Sequence, residues 1–290
     1  MASQIINAFK SNPSHDELRA MDRDLRFYPS QVENPTHLSA EDVAAFNRDG
    51  YLKGIQICDE PEIIGHRAFF DEQLAKAEAA GLGSFSLSSG HLKYAKIYDL
   101  MHHRKIIACV SDLLGPEIIG LAAHYFCKLP NDGTTVSWHQ DASYWPLTPS
   151  KTVTVWLAID DADEENGAMA VIPGSHRHGQ IDFARSADDE NNVLNQTVQD
   201  ALDYGETPVA LAMKAGQISL HTDLLLHGSE PNSSHRRRCG LTMRFVPPDV
   251  LALNGWNGNA VICRGSDSSG HWEHHPRPDG DEFPESASCA

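Results

Sequence analysis

The chain has 290 residues, 41% of them hydrophobic, and Lys+Arg 23 against Asp+Glu 40 gives a net charge of −17. That length suits one large domain with a sizeable core, and an all-β barrel can reach it as a single domain. The acidic excess disfavours nucleic acid and anionic membrane as partners, but local arginines can still build a pocket for a small anion.

Six cysteines, at Cys58, Cys109, Cys127, Cys239, Cys263 and Cys289, show no C-x-x-C spacing. They read as reduced thiols, which suggests a cytoplasmic protein. The opening residues lack the apolar core of a signal peptide, and runs such as 153–159 are too short to span a bilayer.

Residues 1–38 are polar, carry Pro13, Pro29 and Pro35, and read as an arm that lies over the domain. Ser39 followed by Glu41 and Asp42 predicts a capped helix that stops at Asp49-Gly50. A short strand follows at 51–54. Asp59 and Pro61 open a longer helix ended by Gly81. Apolar spacing predicts another over 97–114, closed by Gly115-Pro116. Residues 39–116 therefore form a helical face.

From 117 to 247 the pattern changes to short β-like runs divided by Gly, Pro, Asn and Asp. These are 118–128, 136–141, 153–160, 168–172, 209–212, 217–221, 224–227 and 238–246. So many short strands with turn signals predict a mainly β fold, a jelly roll or double-stranded β-helix, with the helices on one outer face. The polar segment 183–206 reads as a surface loop with a helical turn. Residues 248–290 read as a lid-like tail, with Trp256 and Trp272 in it.

Within the β region, Trp138-His139-Gln140-Asp141 places a His and an Asp two residues apart, on one face of a strand. With one distant His this makes a 2-His-1-carboxylate triad, the ligand set of non-haem Fe(II) oxygenases. The distant residue chosen is His227, in Leu226-His227-Gly228-Ser229. H-x-D alone is weak, and a second copy stands at His221-Thr222-Asp223. His139 and Asp141 could equally be a hydrogen-bonded pair at a strand end. The surrounding residues favour the first pair as ligands. His102, His103, His176, His178, His235, His271, His274 and His275 read as surface or supporting residues. The acidic turn at 160–166 lacks the glycine of a calcium loop.

Taken together, Trp138–Asp141, Tyr144-Trp145-Pro146, Trp156-Leu157-Ala158, Asn166-Gly167-Ala168-Met169, Ile172–Arg177, and His227-Gly228-Ser229 with Arg238 resemble the phytanoyl-CoA dioxygenase family. The likeness runs from about Leu38 to Pro247. It implies a double-stranded β-helix in which His139, Asp141 and His227 bind Fe(II), with 2-oxoglutarate as cosubstrate and O2 as oxidant. By that similarity Arg238, helped by Ser229, holds the distal carboxylate of 2-oxoglutarate, and Lys128 and Trp156 line its pocket. Related halogenases carry Ala or Gly in place of the carboxylate ligand. Asp141 stands there in this chain, so hydroxylation is implied, with release of succinate and CO2.

The substrate is less legible. Trp145 continues the alternation of His139 and Asp141, and in a related hydroxylase this position stacks on substrate. It could equally be core. Arg244 shares strand parity with Arg238 and could face the pocket or form a surface ion pair. An aromatic ring and an arginine suit a small zwitterion. The chain is also similar to the family branch that hydroxylates aminoalkylphosphonates, such as 2-aminoethylphosphonate and 2-(trimethylamino)ethylphosphonate. An amino acid or secondary metabolite is the enzymatic alternative. An acyl-CoA is less expected, since no basic CoA patch is apparent. The non-enzyme alternative is a cupin-like binding protein on the same barrel. The oligomeric state is left open.

Overall fold

The computed structural model describes residues 13–85, 87–186 and 191–281. The arm begins with a short helix that the sequence reading left irregular, α1 (His15–Ala20). Its signal was present: Ser14 and Glu17 form a capping box, each satisfying the other's backbone N–H. Leu18 is carried into the interior, so the arm lies on the domain.

Helix α2 (Ala40–Asp49) starts at the expected Ser39 cap and stops at Gly50, whose φ is +86°. A side chain there would meet His176 Nδ1 at 2.6 Å, so the turn needs glycine for space as well as for conformation. Strand β1 (Tyr51–Gln56) follows, then α3 (Glu60–Ala79), capped by Asp59.

The single helix expected over 97–114 is broken. Its region holds α5 (Ala95–Met101) and α6 (Arg104–Leu114), preceded by a short α4 (Gly90–Lys93). At the interruption the His102 ring stacks on Tyr98, with Nδ1 2.7 Å from Tyr98 O and Nε2 2.9 Å from Ile262 O. Apolar residues run through the break because both pieces contribute to one core, so spacing alone could not reveal it.

The strands after this are β2 (Ile118–Lys128), β3 (Val136–His139), β4 (Leu147–Thr148), β5 (Val153–Ala158), β6 (Ala170–Val171), β7 (Ala184–Arg185), β8 (Gln196–Thr197), β9 (Val209–Ala210), β10 (Gln217–Thr222), β11 (His227–Ser229), β12 (Arg238–Val246), β13 (Leu251–Ala252) and β14 (Val261–Arg264). A six-stranded sheet runs β1-β10-β5-β12-β2-β14, and a four-stranded sheet runs β3-β11-β6-β9. Their pairings are antiparallel. This is the expected jelly roll, with α4, α5 and α6 against the larger sheet.

Alternation along the larger sheet divides its faces. Leu241, Met243 and Phe245 of β12 join Val155 and Leu157 of β5, Leu220 of β10, and Phe70, Ile106 and Val110 of the helices in one core. The residues between them, among them Thr154, Trp156, His221, Arg238, Thr242 and Arg244, turn to the inner face and line a cavity.

Two expectations are corrected here. The described part of the tail is more than a loop: β14 extends the larger sheet beside β2, β13 pairs with β4, and Trp272 packs with Ile119 and Val246. The segment 183–206 is more than a surface loop, since Val198 and Ala201 pack with Ile181 and Leu226 while Gln196 is buried; residues 187–190 lie outside the described residues. Among the described residues no helix is long and apolar enough to cross a membrane. Cys58, Cys109, Cys127, Cys239 and Cys263 are free thiols, and Cys289 lies outside the described residues.

Candidate metal centre and its cavity

The register of the smaller sheet sets His227 of β11 directly opposite His139 of β3. Asp141 was expected on the same strand. It instead opens a 3-10 turn, Asp141–Ser143, just past the strand end, and this swings its carboxylate back toward both rings. Nε2 of His139 and Nε2 of His227 each lie 3.9 Å from Asp141 Oδ1. That separation is within the sum of two metal–ligand bonds of about 2.1 Å each. All three side chains are buried, and their ligand atoms lie within 4.8 Å of one another.

Backbone carbonyls orient both imidazoles. His139 Nδ1 is 2.8 Å from Ser137 O, and His227 Nδ1 is 3.0 Å from Leu225 O. An N–H at each Nδ1 satisfies these contacts and leaves the Nε2 lone pairs pointing inward. Burial lowers the pKa of both rings and keeps them neutral. Burial would raise the Asp141 pKa, but the neighbouring His221 ring and the Arg244 guanidinium outweigh it and hold the carboxylate ionised.

The second oxygen of Asp141 faces a different set. Thr154 Oγ1 donates to Oδ2 at 3.1 Å, and His221 Nε2 stands 3.7 Å from it. His221 belongs to the competing H-x-D pair. It is a buried ring on the cavity wall, opposite Thr154 in the register of β10 with β5. Its partner Asp223 turns away, accepting from Ser150 Oγ at 2.6 Å and from Thr222 Oγ1 at 3.2 Å. Inner-face parity was the signal for His221; reading the two pairs as rivals concealed it.

Above the triad lies a small cavity of about 50 Å³ that is partly open to solvent. Arg238 and Arg244 both enter it from β12. Arg238 gives Nε to Gly167 O at 3.0 Å and Nη1 to Phe126 O at 3.4 Å. Its guanidinium lies 6.0 Å from the Trp156 ring, which also lines the cavity. The Ser229 hydroxyl is buried there without a partner. Arg244 donates to Thr242 Oγ1 at 2.5 Å and sits between Trp145 and Phe126, 5.2 and 6.0 Å from their rings. Of the two readings left open for Arg244, the structure gives the cavity rather than a surface ion pair.

Two predicted positions fall elsewhere. Lys128 shares Arg238's face, but its ammonium donates to Thr134 O, Ser229 O and Glu230 O at 2.9, 3.3 and 2.5 Å. It ties the segment after β11 to β2 and does not line the cavity. A buried ammonium takes acceptors within reach of its flexible stem, and here these are three carbonyls. Trp145 does not line the cavity either, because the strand ends before it. Its ring backs Arg244 and packs toward Ile119, Leu147 and Val246. His176, read as surface or supporting, is fully buried, with Nε2 on Asn47 O at 3.2 Å.

The profile of a family described as phytanoyl-CoA dioxygenase (PhyH) matches residues 31–240. The chain belongs to the phytanoyl-CoA dioxygenase family. It is similar to a protein of Stutzerimonas stutzeri described as a probable alpha-ketoglutarate-dependent hypophosphite dioxygenase, 33% identical over 167 residues that make up 57% of this chain and 58% of that protein. It is also similar to the peroxisomal phytanoyl-CoA dioxygenase of Bos taurus, 30% identical over 151 residues, 49% of this chain and 43% of that one. The chain thus spans about half the length of the curated relatives it matches. Among solved structures it is similar to the non-heme monooxygenase ThoJ in its apo form, with a TM-score of 0.72 and 26% identity over 82% of this chain and 88% of that one. CytC3 with Fe(II) and alpha-ketoglutarate shares the fold, with a TM-score of 0.62 and 22% identity over 83% of this chain and 94% of that one.

Fe(II) and 2-oxoglutarate are the cofactors of phytanoyl-CoA dioxygenases, and the residues present fit both. Two neutral imidazoles and one carboxylate converge on a single point. Beside them lie a buried guanidinium with no ion-pair partner among the described residues and an unpartnered hydroxyl, the chemistry that a dicarboxylate needs.

Proposed function

We propose that this chain is an Fe(II)- and 2-oxoglutarate-dependent dioxygenase that hydroxylates an aliphatic C–H of a small anionic substrate, with an aminoalkylphosphonate as the first candidate. The observation that carries the reading is the pair of arginines, buried Arg238 and half-buried Arg244, flanking His139, Asp141 and His227 in one cavity. Neither arginine forms an ion pair among the described residues, and burial lowers the pKa of both guanidinium groups.

In this reading His139, Asp141 and His227 hold Fe(II) on one face. With O2, the bound iron and 2-oxoglutarate supply the oxidation of the C–H, with release of succinate and CO2. Thr154 donates to Asp141 Oδ2, with the His221 ring close by, and Oδ1 is left to the metal. Arg238 and Ser229 take the distal carboxylate of 2-oxoglutarate, with Trp156 as the adjoining wall. Lys128 acts only by fixing the Ser229 segment.

Charge then points to the substrate. A divalent ion, Asp141 and the two arginines leave the cavity more positive than 2-oxoglutarate can neutralise. An anionic substrate group on Arg244 balances the remainder, with Trp145 and Phe126 holding the guanidinium fork in place. The Stutzerimonas stutzeri relative, by its description, acts on another small phosphorus oxyanion, which supports the phosphonate reading. A substrate carboxylate would suit Arg244 equally, so an amino acid or other small acid is the second reading. A binding protein without catalysis would have no use for a metal triad beside two unpaired arginines.

The test is succinate release by Fe(II)-loaded protein with 2-aminoethylphosphonate, its N-methylated forms, hypophosphite, free amino acids and an acyl-CoA. Stimulation by a phosphonate, with a product heavier by one oxygen and a loss of that stimulation in Arg244→Ala, is the expected result. Stimulation only by carboxylates would replace the phosphonate reading with the second one. No succinate under any condition would overturn the dioxygenase reading.

A further inference from the structure

We propose that Arg23, in the arm that precedes the family match at residues 31–240, is a positioning residue for the metal centre. This rests on the reading of His139, Asp141 and His227 as the metal site.

The argument starts from the turn that carries Asp141. A three-residue 3-10 turn has few bonds of its own: Ser143 N–H to Gln140 O at 3.1 Å and Tyr144 N–H to Asp141 O at 3.0 Å. Such a turn does not hold its shape unaided, and outside groups supply the rest. From the protein side, Ala142 N–H donates to Asp223 O at 3.0 Å. From the arm, Arg23 Nη1 donates to Ala142 O at 3.0 Å and to Trp145 O at 2.7 Å. Its Nη2 donates to Leu18 O at 3.2 Å, which ties the same guanidinium to α1.

Nη1 therefore bridges Ala142 and Trp145, within the segment that follows a metal ligand and ends with the ring backing Arg244, while Nη2 ties the same plane to α1. A fixed guanidinium plane holds these two directions together, which a single ammonium on a flexible stem does not. The arm continues the contact beyond Arg23: Asp24 N–H donates to Thr148 Oγ1 and Ser150 N–H to Asp24 O, each at 2.9 Å. His15 of α1 meets the edge of Tyr144 at 6.5 Å, and Tyr144 meets the edge of His139 at 5.9 Å. The arm thus supports two of the three ligands through one intervening layer.

Arg19 provides the control. It also anchors the arm, donating to Phe183 O at 3.1 Å and lying 5.0 Å from that ring, but its recorded contacts are to Phe183 and not to the Asp141 turn. Loss of supporting groups around metal ligands lowers metal affinity about 10- to 100-fold.

The experiment is an anaerobic Fe(II) titration of the full chain as wild type, Arg23→Ala, Arg23→Lys and Arg19→Ala. The proposal expects Arg23→Ala to weaken Fe(II) binding about 10-fold or more, Arg23→Lys to fall between it and wild type, and Arg19→Ala to match wild type. Wild-type affinity in Arg23→Ala, or equal losses in Arg23→Ala and Arg19→Ala, overturns it. Should Arg23→Ala fail to fold, Arg23→Gln is read against Arg19→Ala by the same criterion. A wild type that takes up no Fe(II) fails the metal reading itself, and this inference with it; a wild type that binds while Arg23→Ala binds equally well fails this inference alone.

Discussion

Arg238 is a buried cation whose recorded partners among the described residues are two carbonyls, Gly167 O and Phe126 O. A group kept for stability would have a carboxylate beside it; a group kept for a ligand need not. Replacing it with Met removes an unpaired buried charge, which favours the fold, and frees two carbonyls, which does not. These effects oppose one another, so we expect the ligand-free protein to change by less than about 1 kcal/mol. Binding of 2-oxoglutarate should weaken by about 2 kcal/mol or more, the cost of removing one partner of a buried charge pair. Calorimetric titration with 2-oxoglutarate beside a thermal melt checks both. A large loss of stability with unchanged cosubstrate affinity would make Arg238 a structural cation. At this scale the site was partly legible: H-x-D and a later His could be read from spacing. Spacing could not rank His139-x-Asp141 above His221-x-Asp223, because both histidines line one cavity.

Strands β2 and β12 end where the sequence reading placed them, at 118–128 and 238–246. Both are buried along almost their whole length, and long strand-like runs bounded by turn residues announce themselves without a solvent-facing side. The short strands were displaced or shortened, because two or three residues carry no period; β11, for example, starts at His227 rather than Leu224. Gly240 shows what alternation leaves out. A side chain added there would lie 2.0 Å from Trp156 Cζ2, so β12 needs glycine to admit the ring from β5. Gly240→Ala should cost about 1–3 kcal/mol by overpacking and weaken 2-oxoglutarate binding, since the displaced ring adjoins Arg238. Urea denaturation and the same titration test this; a variant with wild-type stability would show that Trp156 has room to move.

For the whole molecule, buried histidines predict acid sensitivity. His91 bonds Asn259 O at 3.0 Å and joins α4 to the tail, while His176 bonds Asn47 O and meets the Phe27 ring at 4.4 Å, joining the arm and α2 to the barrel. Burial lowers both from 6.5 to about 4. Between those values the unfolded chain binds protons that the folded chain refuses, so stability falls as pH drops through that window and is level above it. Each histidine contributes about 3 kcal/mol to the fall, at about 1.36 kcal/mol per pKa unit. The urea midpoint should therefore drop between about pH 7.5 and about pH 4.5, and less so in His176→Gln. Equal midpoints at the two pH values would contradict the assignment.

The features legible from the chain alone are local or repeat along it. They include the capped starts of α2 and α3, the alternating β2 and β12, the jelly-roll class, and three ligand-type residues within a recognisable family pattern. These follow from backbone bonding and side-chain period, which act over a few residues. Tertiary structure alone decided that His221 stands behind Asp141, that Lys128 clamps carbonyls outside the cavity, that Trp145 backs Arg244, and that the arm and tail become parts of the domain. Each of these depends on which polar end finds which partner across strands far apart in sequence. Burial makes an unmatched polar group costly, so the partner is chosen by the assembled packing and leaves no periodic trace in the chain.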